Sequence, residues 1–209
     1  MNTHEILYWR YATKKFDTSK DLPAQDLDYI LEAGNLAATS FGLQPFGIVV
    51  VTDTEKKQAL MEAAYGQKHV AENGALLVLC ARTDVDADFV AEFTARLEHT
   101  RGLVAGAADG YKDTMVGALA NKSPEEILTW SQKQAYIVLG TMMMAAAEKQ
   151  VDGCPLEGFD PVRFNEILGL KAHSLHATNL LALGYRSAED TSQHDIKVRR
   201  DLKDTVVRM

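Results

Sequence analysis

The chain has 209 residues, of which 46% are hydrophobic, and a formal net charge of −7. This size and composition are typical of one globular domain with a buried core, and the acidic balance argues against general nucleic-acid binding, which needs a basic surface. The longest apolar stretch, residues 135–147, is shorter than the ~20 residues that cross a bilayer. With two cysteines and no signal-peptide pattern, we expect a cytoplasmic protein that is not membrane-bound and has no disulfide framework.

The predicted elements follow from hydrophobic periodicity and capping residues. In chain order they are a helix over 22–38, strands over 46–51 and 75–81 with a helix over 54–64 between them, a charged helix over 84–105, a loose segment or lid over 106–122, a helix from 124 to about 150, a turn over 153–160, a short helix over 160–168 and a strand over 174–186. Both early strands are continuous apolar runs, which favours strands covered on both faces. We therefore predict one α+β domain over residues 1–209.

The long helix has a clear N-terminus and an unusual middle. Ser123, Pro124 and Glu126 form an N-cap, a first-turn proline and a capping-box acid. Residues 136–147 are apolar on nearly every side, so this part of the helix should be buried all round. A small domain rarely surrounds one helix completely, and we therefore predict a homodimer with this helix at the interface.

Charge is unevenly distributed along the chain. Residues 1–20 hold four basic and two acidic side chains, and the tail 195–209 holds five and three. Two basic ends on an acidic body favour a local anion site. Arg10 and Lys14 are four positions apart, and in a helical turn such like charges would repel unless an anion lay between them. A solvated basic face is the alternative.

Familiar catalytic motifs are absent from the sequence. No dinucleotide-binding or phosphate-binding glycine loop and no nucleophile elbow occurs. His173 and His176 fall in a predicted strand, where they would face opposite sides, so no metal site is predicted. Cys80 lies in an apolar strand, and Cys154 has no acid or histidine nearby in sequence. If the protein is an enzyme, a cofactor is expected to supply the chemistry.

Two further segments stand out. Residues 38–47, ATSFGLQPFG, join a helix to a strand through small and hydroxyl residues, and residues 153–160, GCPLEGFD, place a proline and a glycine beside exposed backbone N–H groups. Each alone would also fit an ordinary loop or turn. Taken in order with RYATKKF near the start and KVR near the end, however, they resemble the nitroreductase family of FMN-dependent oxidoreductases. The resemblance extends over essentially the whole chain and is closest to the bacterial oxygen-insensitive NAD(P)H nitroreductase and dihydropteridine reductase type.

The resemblance implies an α+β fold with a central, mainly antiparallel sheet flanked by helices and a long buried helix at a homodimer interface. It implies FMN as cofactor, NADH or NADPH as hydride donor, and ping-pong reduction of nitroaromatics, quinones or related electrophilic small molecules. Alternatives are a quinone, flavin or enone reductase of the same fold, and a non-catalytic or regulatory flavin-binding member.

The resemblance also assigns roles to residues. Arg10, Lys197 and Arg199 would hold the FMN phosphate, Lys14 would lie at the N1–C2=O edge of the flavin, and the Glu157 backbone N–H would point at flavin N5. Phe41 and Tyr111 would shape the acceptor pocket. The remaining cofactor-binding positions would be Tyr11, Ala12, Thr39, Ser40, Gly42, Gln67, Pro155, Leu156 and Gly158. Thr39, Ser40 and Gly42 would reach the flavin held mainly by the other subunit. Ala12 and Gly42 replace a serine and a common asparagine of the family.

Overall fold

The computed structural model describes residues 1–209, which form seven helices and four strands. The helices are α1 (Thr3–Trp9), α2 (Ala24–Asn35), α3 (Thr54–Ala63), α4 (Ala87–Arg101), α5 (Asp109–Leu119), α6 (Pro124–Glu148) and α7 (Pro161–Ile167). The strands are β1 (Phe46–Val51), β2 (Ala75–Arg82), β3 (Asp152–Leu156) and β4 (Leu175–Gly184). Short 3₁₀ helices connect several of them. No helix is long and apolar enough to cross a membrane.

The four strands form one antiparallel sheet in the order β1-β2-β4-β3. The mixed α+β class and the mainly antiparallel sheet are as predicted. β2 is buried along almost its whole length, because β1 and β4 flank it and helices cover both faces. For β1 the expectation of two covered faces is wrong. β1 is an edge strand, and Val50 keeps 40% of its surface exposed because the helices on that face do not extend over it.

Alternate side chains of the central strands enter two separate cores, as the two-residue period of a strand requires. Val78 and Leu180 face the side covered by α3 and α7, where Phe164 is fully buried. Leu77 and Leu181 face the opposite side, covered by α2 and α6. A third cluster lies under α4 and α5. Its buried members are Leu43, Val85, Val90, Met115, Leu119 and Ile127.

The long helix α6 begins as predicted, with Ser123 and Glu126 forming a reciprocal capping box and Pro124 in the first turn. Its packing against α2 is close. A Cβ on Gly34 would lie 2.8 Å from Met142 Sδ, so any larger residue there would require the buried Met142 side chain to move. The opposite side of α6 is open within one chain, where Tyr136 is 41% and Ile137 47% exposed. Within one chain the apolar middle is therefore buried against the sheet and the neighbouring helices but not on its remaining side.

Two predicted irregular segments are regular, and those predictions are wrong. Residues 109–119 form α5 inside the expected lid. Its Gly110 and Gly117 are tolerated in the helix, and buried Met115 anchors it. Residues 152–156 form β3 rather than a turn. Pro155 fits there because β3 is an edge strand, where one side of the backbone needs no ladder donor.

The two histidines also differ from expectation, because His173 ends a 3₁₀ helix (Leu170–His173) instead of entering the strand. His176 does lie in β4, and its Nδ1 is 3.0 Å from Asn165 Nδ2.

Candidate active site

The N-terminal segment after α1 runs beside the edge strand β3. Ala12 forms a parallel bridge with Gly153, and the Thr13 N–H donates to the Gly153 carbonyl at 3.4 Å. This pairing brings the Lys14 side chain to the beginning of the segment 153–160, where Lys14 Nζ lies 3.5 Å from Cys154 Sγ. Two motifs about 140 positions apart therefore meet along one edge of the sheet.

A buried carboxylate holds this segment in place. Asp190 is 2% exposed, and its Oδ2 accepts hydrogen bonds from the Lys14 N–H at 2.7 Å, the Lys15 N–H at 3.2 Å and the Tyr11 hydroxyl at 3.0 Å. Burial acts to raise the pKa of Asp190, but these bonds, together with one from the Ser192 N–H, outweigh it and hold the pKa below its usual value. Asp190 thus fastens the beginning of the C-terminal region to the N-terminal segment.

The two basic chain ends converge on one space, which we call the basic cavity. Arg10, Lys197 and Arg199 line this volume of about 390 Å³ together with His4, Leu7 and Tyr8, and no carboxylate lines it. Lys197 Nζ donates to the Tyr8 carbonyl at 2.7 Å. Burial and then the nearby Arg199 lower the pKa of Arg10, and burial followed by Arg10 and Arg199 lowers the pKa of Lys197. Three cations without a counter-ion form a site for a multiply charged anion.

Arg186 supports the same region, although no sequence motif indicated it. Its guanidinium stacks on Trp9 at 4.4 Å and on Tyr11 at 4.7 Å from the ring centroids. It also pairs with Asp152, a 4% exposed side chain, at 2.6 Å. Arg186 follows β4 and Asp152 begins β3, so the ion pair joins these two strands. The stacking of Arg186 connects them to Trp9 and Tyr11, the aromatic residues on either side of Arg10.

The segment after β3 presents its backbone next to Gln67. Gln67 Nε2 donates to the carbonyls of Gly158 and Ala64, and a Cβ on Gly158 would lie 3.2 Å from that nitrogen. The Glu157 N–H donates to no acceptor within the chain. The Glu157 carboxylate accepts a 2.6 Å hydrogen bond from the Tyr136 hydroxyl of α6. Burial, reinforced by this bond, raises the pKa of Tyr136 to about 12.

A second space, which we call the aromatic cavity, lies where the loop after α2 meets α4 and α5. It has a volume of about 480 Å³, and Phe41, Gly42 and Tyr111 line it. Phe41 has φ of 58° and Gly42 of 72°, a conformation that costs a phenylalanine energy. The Tyr111 hydroxyl holds the strained Phe41 by donating to its carbonyl at 3.0 Å.

The Thr39 hydroxyl is engaged within its own loop, and the Ser40 backbone N–H is engaged by α6. Thr39 Oγ1 accepts from the Gln44 N–H, and the Ser40 N–H donates to Gln134 Oε1 at 2.9 Å. No hydrogen bond within the chain joins this loop to Arg10, Lys14 or Gln67. Within one subunit the predicted site residues therefore form two separate groups, one around Arg10, Lys14 and Gln67 and the other in the loop 39–42. The prediction that Thr39, Ser40 and Gly42 serve the other subunit's cofactor stays a prediction.

The cysteines do not form a thiol centre. Both are free and buried. Burial raises the pKa of Cys80 to about 12, and burial also raises the pKa of Cys154, although Lys14 acts in the opposite direction. Neither sulfur is a thiolate at neutral pH, so the chain offers no nucleophile here.

Comparison with known proteins places this geometry in a family. A model of the nitroreductase family matches residues 7–185. The chain is 34% identical to the Bacillus subtilis protein named "Putative NAD(P)H nitroreductase YfkO", with 85% of this chain and 86% of that protein covered. It is 35% identical to an "NADH dehydrogenase" of Thermus thermophilus, with 86% and 84% covered. A "putative nitroreductase in complex with FMN" from Exiguobacterium sibiricum superimposes with a TM-score of 0.85 over 100% of this chain and 98% of that one, at 19% identity.

Proposed function

Since the chain belongs to the nitroreductase family, we propose that it is an FMN-dependent oxidoreductase that uses NADH or NADPH to reduce nitroaromatics, quinones or related electrophilic acceptors. The observation that carries the proposal is the convergence of Arg10, Lys197 and Arg199 on one cavity without a carboxylate. An FMN phosphate would supply the negative charge that these three side chains lack.

The other residues fit the rest of such a cofactor. Asp190 holds Lys14 through its backbone N–H, and the Lys14 ammonium group makes its one hydrogen bond within the chain to Cys154 Sγ. A cation there would stabilise negative charge that develops on the pyrimidine edge of a flavin during reduction. The unpaired Glu157 N–H is a donor available to a ring nitrogen, and the neighbouring Gln67 and Gly158, which contact each other, would lie beside the same ring.

When bound, FMN would supply the reversible two-electron chemistry, in ping-pong order between NADH or NADPH and the acceptor. For a nitro group, the first two-electron reduction would take one hydride equivalent from the donor and one proton from water, one N–O bond would break, and a nitroso product and water would result. The chain's own residues would bind, orient and stabilise charge, and no side chain is assigned as a general acid or base.

The proposal includes a homodimer. The open side of α6 presents Tyr136 and Ile137, and the tail presents Ile196 at 90% and Val198 at 87% exposure. Burying these apolar side chains against a second copy would stabilise the dimer. The loop of Thr39, Ser40 and Gly42 would then come to the partner's cofactor. The two free, buried cysteines fit a cytoplasmic protein.

A non-catalytic flavin-binding role remains as the second candidate, because two positions lack polar groups. Ala12 is engaged in the bridge to Gly153 and has no hydroxyl to offer the phosphate. Gly42 has no side-chain amide. Weak cofactor retention would favour this candidate.

The test is spectroscopic. Purified protein reconstituted with FMN should be yellow, should bleach on anaerobic addition of NADH or NADPH, and should recover its colour when a nitroaromatic or quinone is added. A yellow protein that neither NADH nor NADPH bleaches would leave the flavin-binding role, bleaching without recovery on any acceptor would contradict the proposed acceptors, and a protein that ignores FMN would contradict both candidates.

A further inference from the structure

The aromatic cavity carries positive charge that nothing in the chain neutralises. Arg96 and Arg101 of α4 line it, and no aspartate or glutamate does. Neither guanidinium takes part in an ion pair or a hydrogen bond within the chain. Even Glu92, one turn before Arg96, makes no ion pair with it. In a protein of net charge −7, two exposed arginines without an ion-pair partner thus share one cavity.

The opposite wall is aromatic. Tyr111 lies edge-to-face with Phe41, with ring centroids 6.3 Å apart, and with Phe93, at 6.5 Å. Arg96 is exposed, and its guanidinium lies over the Phe93 ring at 5.8 Å, a cation–π arrangement that orients it along the aromatic side chains. The cavity of about 480 Å³ is in the size range of small-molecule sites. It thus combines three aromatic side chains with two cationic ones.

We propose that the aromatic cavity selects acceptors consisting of an aromatic ring with an anionic substituent such as a carboxylate, the ring lying against Phe41, Phe93 and Tyr111 and the anion against Arg96 and Arg101. This inference rests on the proposed function, since it names the class of acceptor. The planar guanidinium suits it, because it can donate two parallel hydrogen bonds to a carboxylate.

Helix electrostatics explains only part of the arrangement. Arg101 ends α4, where a cation interacts favourably with the last carbonyl groups. Arg96 lies more than one turn earlier, beyond the reach of that effect. The Glu98 carboxylate, which could have paired with a neighbouring arginine, instead accepts the Ala108 N–H at 2.8 Å. The pair of arginines is therefore left to an external anion.

The experiment compares 4-nitrobenzoate with its neutral isostere 4-nitrobenzamide. The ratio of their kcat/KM values is measured for FMN-loaded wild type, Arg96→Gln, Arg101→Gln and the double variant, at low and high salt. We expect the double variant to lower the benzoate-to-benzamide ratio about tenfold or more, each single variant less, and high salt to lower it in wild type. Arg163→Gln, an exposed arginine of α7 outside this cavity, is the matched control and should leave the ratio as in wild type.

Calorimetric binding of benzoate against benzamide provides a readout that needs no turnover. Wild type should bind benzoate more tightly, and the double variant should lose that preference. If no nitro compound is reduced but this preference holds, the proposed function fails and the anion site stands. If both nitro compounds are reduced, and if neither the kcat/KM ratio nor the binding preference changes in the arginine variants, the anion site is overturned. It is equally overturned if the double variant changes only the preference for NADPH over NADH, since the arginines would then serve the 2′-phosphate of the donor.

Discussion

The two cavities are held together in different ways. The basic cavity is assembled from opposite ends of the chain, with Lys197 bonded to the Tyr8 carbonyl 189 positions away. The aromatic cavity is formed by a loop and two neighbouring helices, with Tyr111 bonded to the Phe41 carbonyl 70 positions away. The first depends on charge and on one buried carboxylate, and the second on aromatic packing around a strained residue. Cofactor retention and acceptor choice should therefore respond to different substitutions.

The largest effect is expected at the basic tail. In Lys197→Ala/Arg199→Ala, two charge-assisted contacts of roughly 1.5–3 kcal/mol each are lost, so FMN affinity should fall by about two to four orders of magnitude at ~1.4 kcal/mol per tenfold. Fluorescence titration of the apoprotein measures it. Riboflavin, which has no phosphate, should bind wild type and variant alike.

The control for the tail variant is Lys203→Ala/Arg208→Ala, which removes two exposed tail charges outside the cavity. It should bind FMN as wild type does. An equal loss of FMN and riboflavin affinity in the first variant would mean that the tail supports structure, and no loss of either would mean that the two ends hold no phosphate.

The next largest effect is expected at Asp190. Asp190→Asn removes the charge that accepts three hydrogen bonds through one oxygen, so the free energy of unfolding should fall by roughly 1–3 kcal/mol at neutral pH. Because the folded-state pKa of Asp190 is lowered, its stabilisation is present above the unfolded pKa and is lost as pH falls through the folded value.

Denaturant titrations at pH 7 and near pH 3 measure this. The difference between wild type and Asp190→Asn should shrink at the lower pH, whereas the exposed Asp195→Asn should match wild type at both. A difference that does not change with pH would show that the charge of Asp190 is not what fastens the chain ends.

Lys14→Ala tests the proposed ring end of the cofactor site by itself, since it leaves the proposed phosphate contacts intact. The Lys14 cation is expected to stabilise the reduced flavin by about 1.4 kcal/mol. Its loss would therefore lower the two-electron reduction potential of the bound flavin by about 30 mV. Spectroelectrochemistry measures the potential. Lys15→Ala is the control, because the Lys15 ammonium is exposed and pairs with Glu189. An unchanged potential in Lys14→Ala would place Lys14 away from the ring.

The smallest effect is expected in the aromatic cavity. Tyr111→Phe keeps the ring but removes the hydrogen bond to the Phe41 carbonyl, which contributes roughly 0.5–1.5 kcal/mol. The KM for an aromatic acceptor should rise a few-fold while FMN affinity stays constant. Steady-state kinetics and flavin titration together check this. A parallel loss of FMN affinity would show that the two cavities are not independent.

Local sequence patterns predicted the elements whose formation depends on neighbouring residues in the chain. The capping box and proline at Ser123–Glu126 fixed the start of α6, and the uninterrupted apolar run of β2 indicated a buried strand. β3 and α5 were missed because their sequences contain a proline or glycines whose cost depends on surroundings. Pro155 is tolerated because β3 is an edge strand. Burial of Met115 compensates for the low helix propensity of Gly117 in α5.

The candidate site was only partly predictable for a related reason. The charges of Arg10, Lys197 and Arg199 are visible in the sequence, and the structure brings them together. Asp190, Arg186 and Tyr136 were missed because each acts through a partner far along the chain, and a single aspartate or arginine carries no local pattern. The left-handed backbone of Phe41 was equally invisible, since nothing in the sequence favours it.

The Asp190 contact also bears on how the protein is made. Its bond to the Lys14 N–H spans 176 positions, so nearly the whole chain must be in place before it can form, and contacts of such separation are slow to form. During synthesis the N-terminal region emerges first, with Arg10 and Lys14 exposed long before Asp190 and the tail leave the ribosome. If the basic cavity holds a phosphate-bearing cofactor as proposed, a nascent chain lacks Lys197 and Arg199, two of the three cations that would bind it, and we expect loading to follow synthesis of the tail.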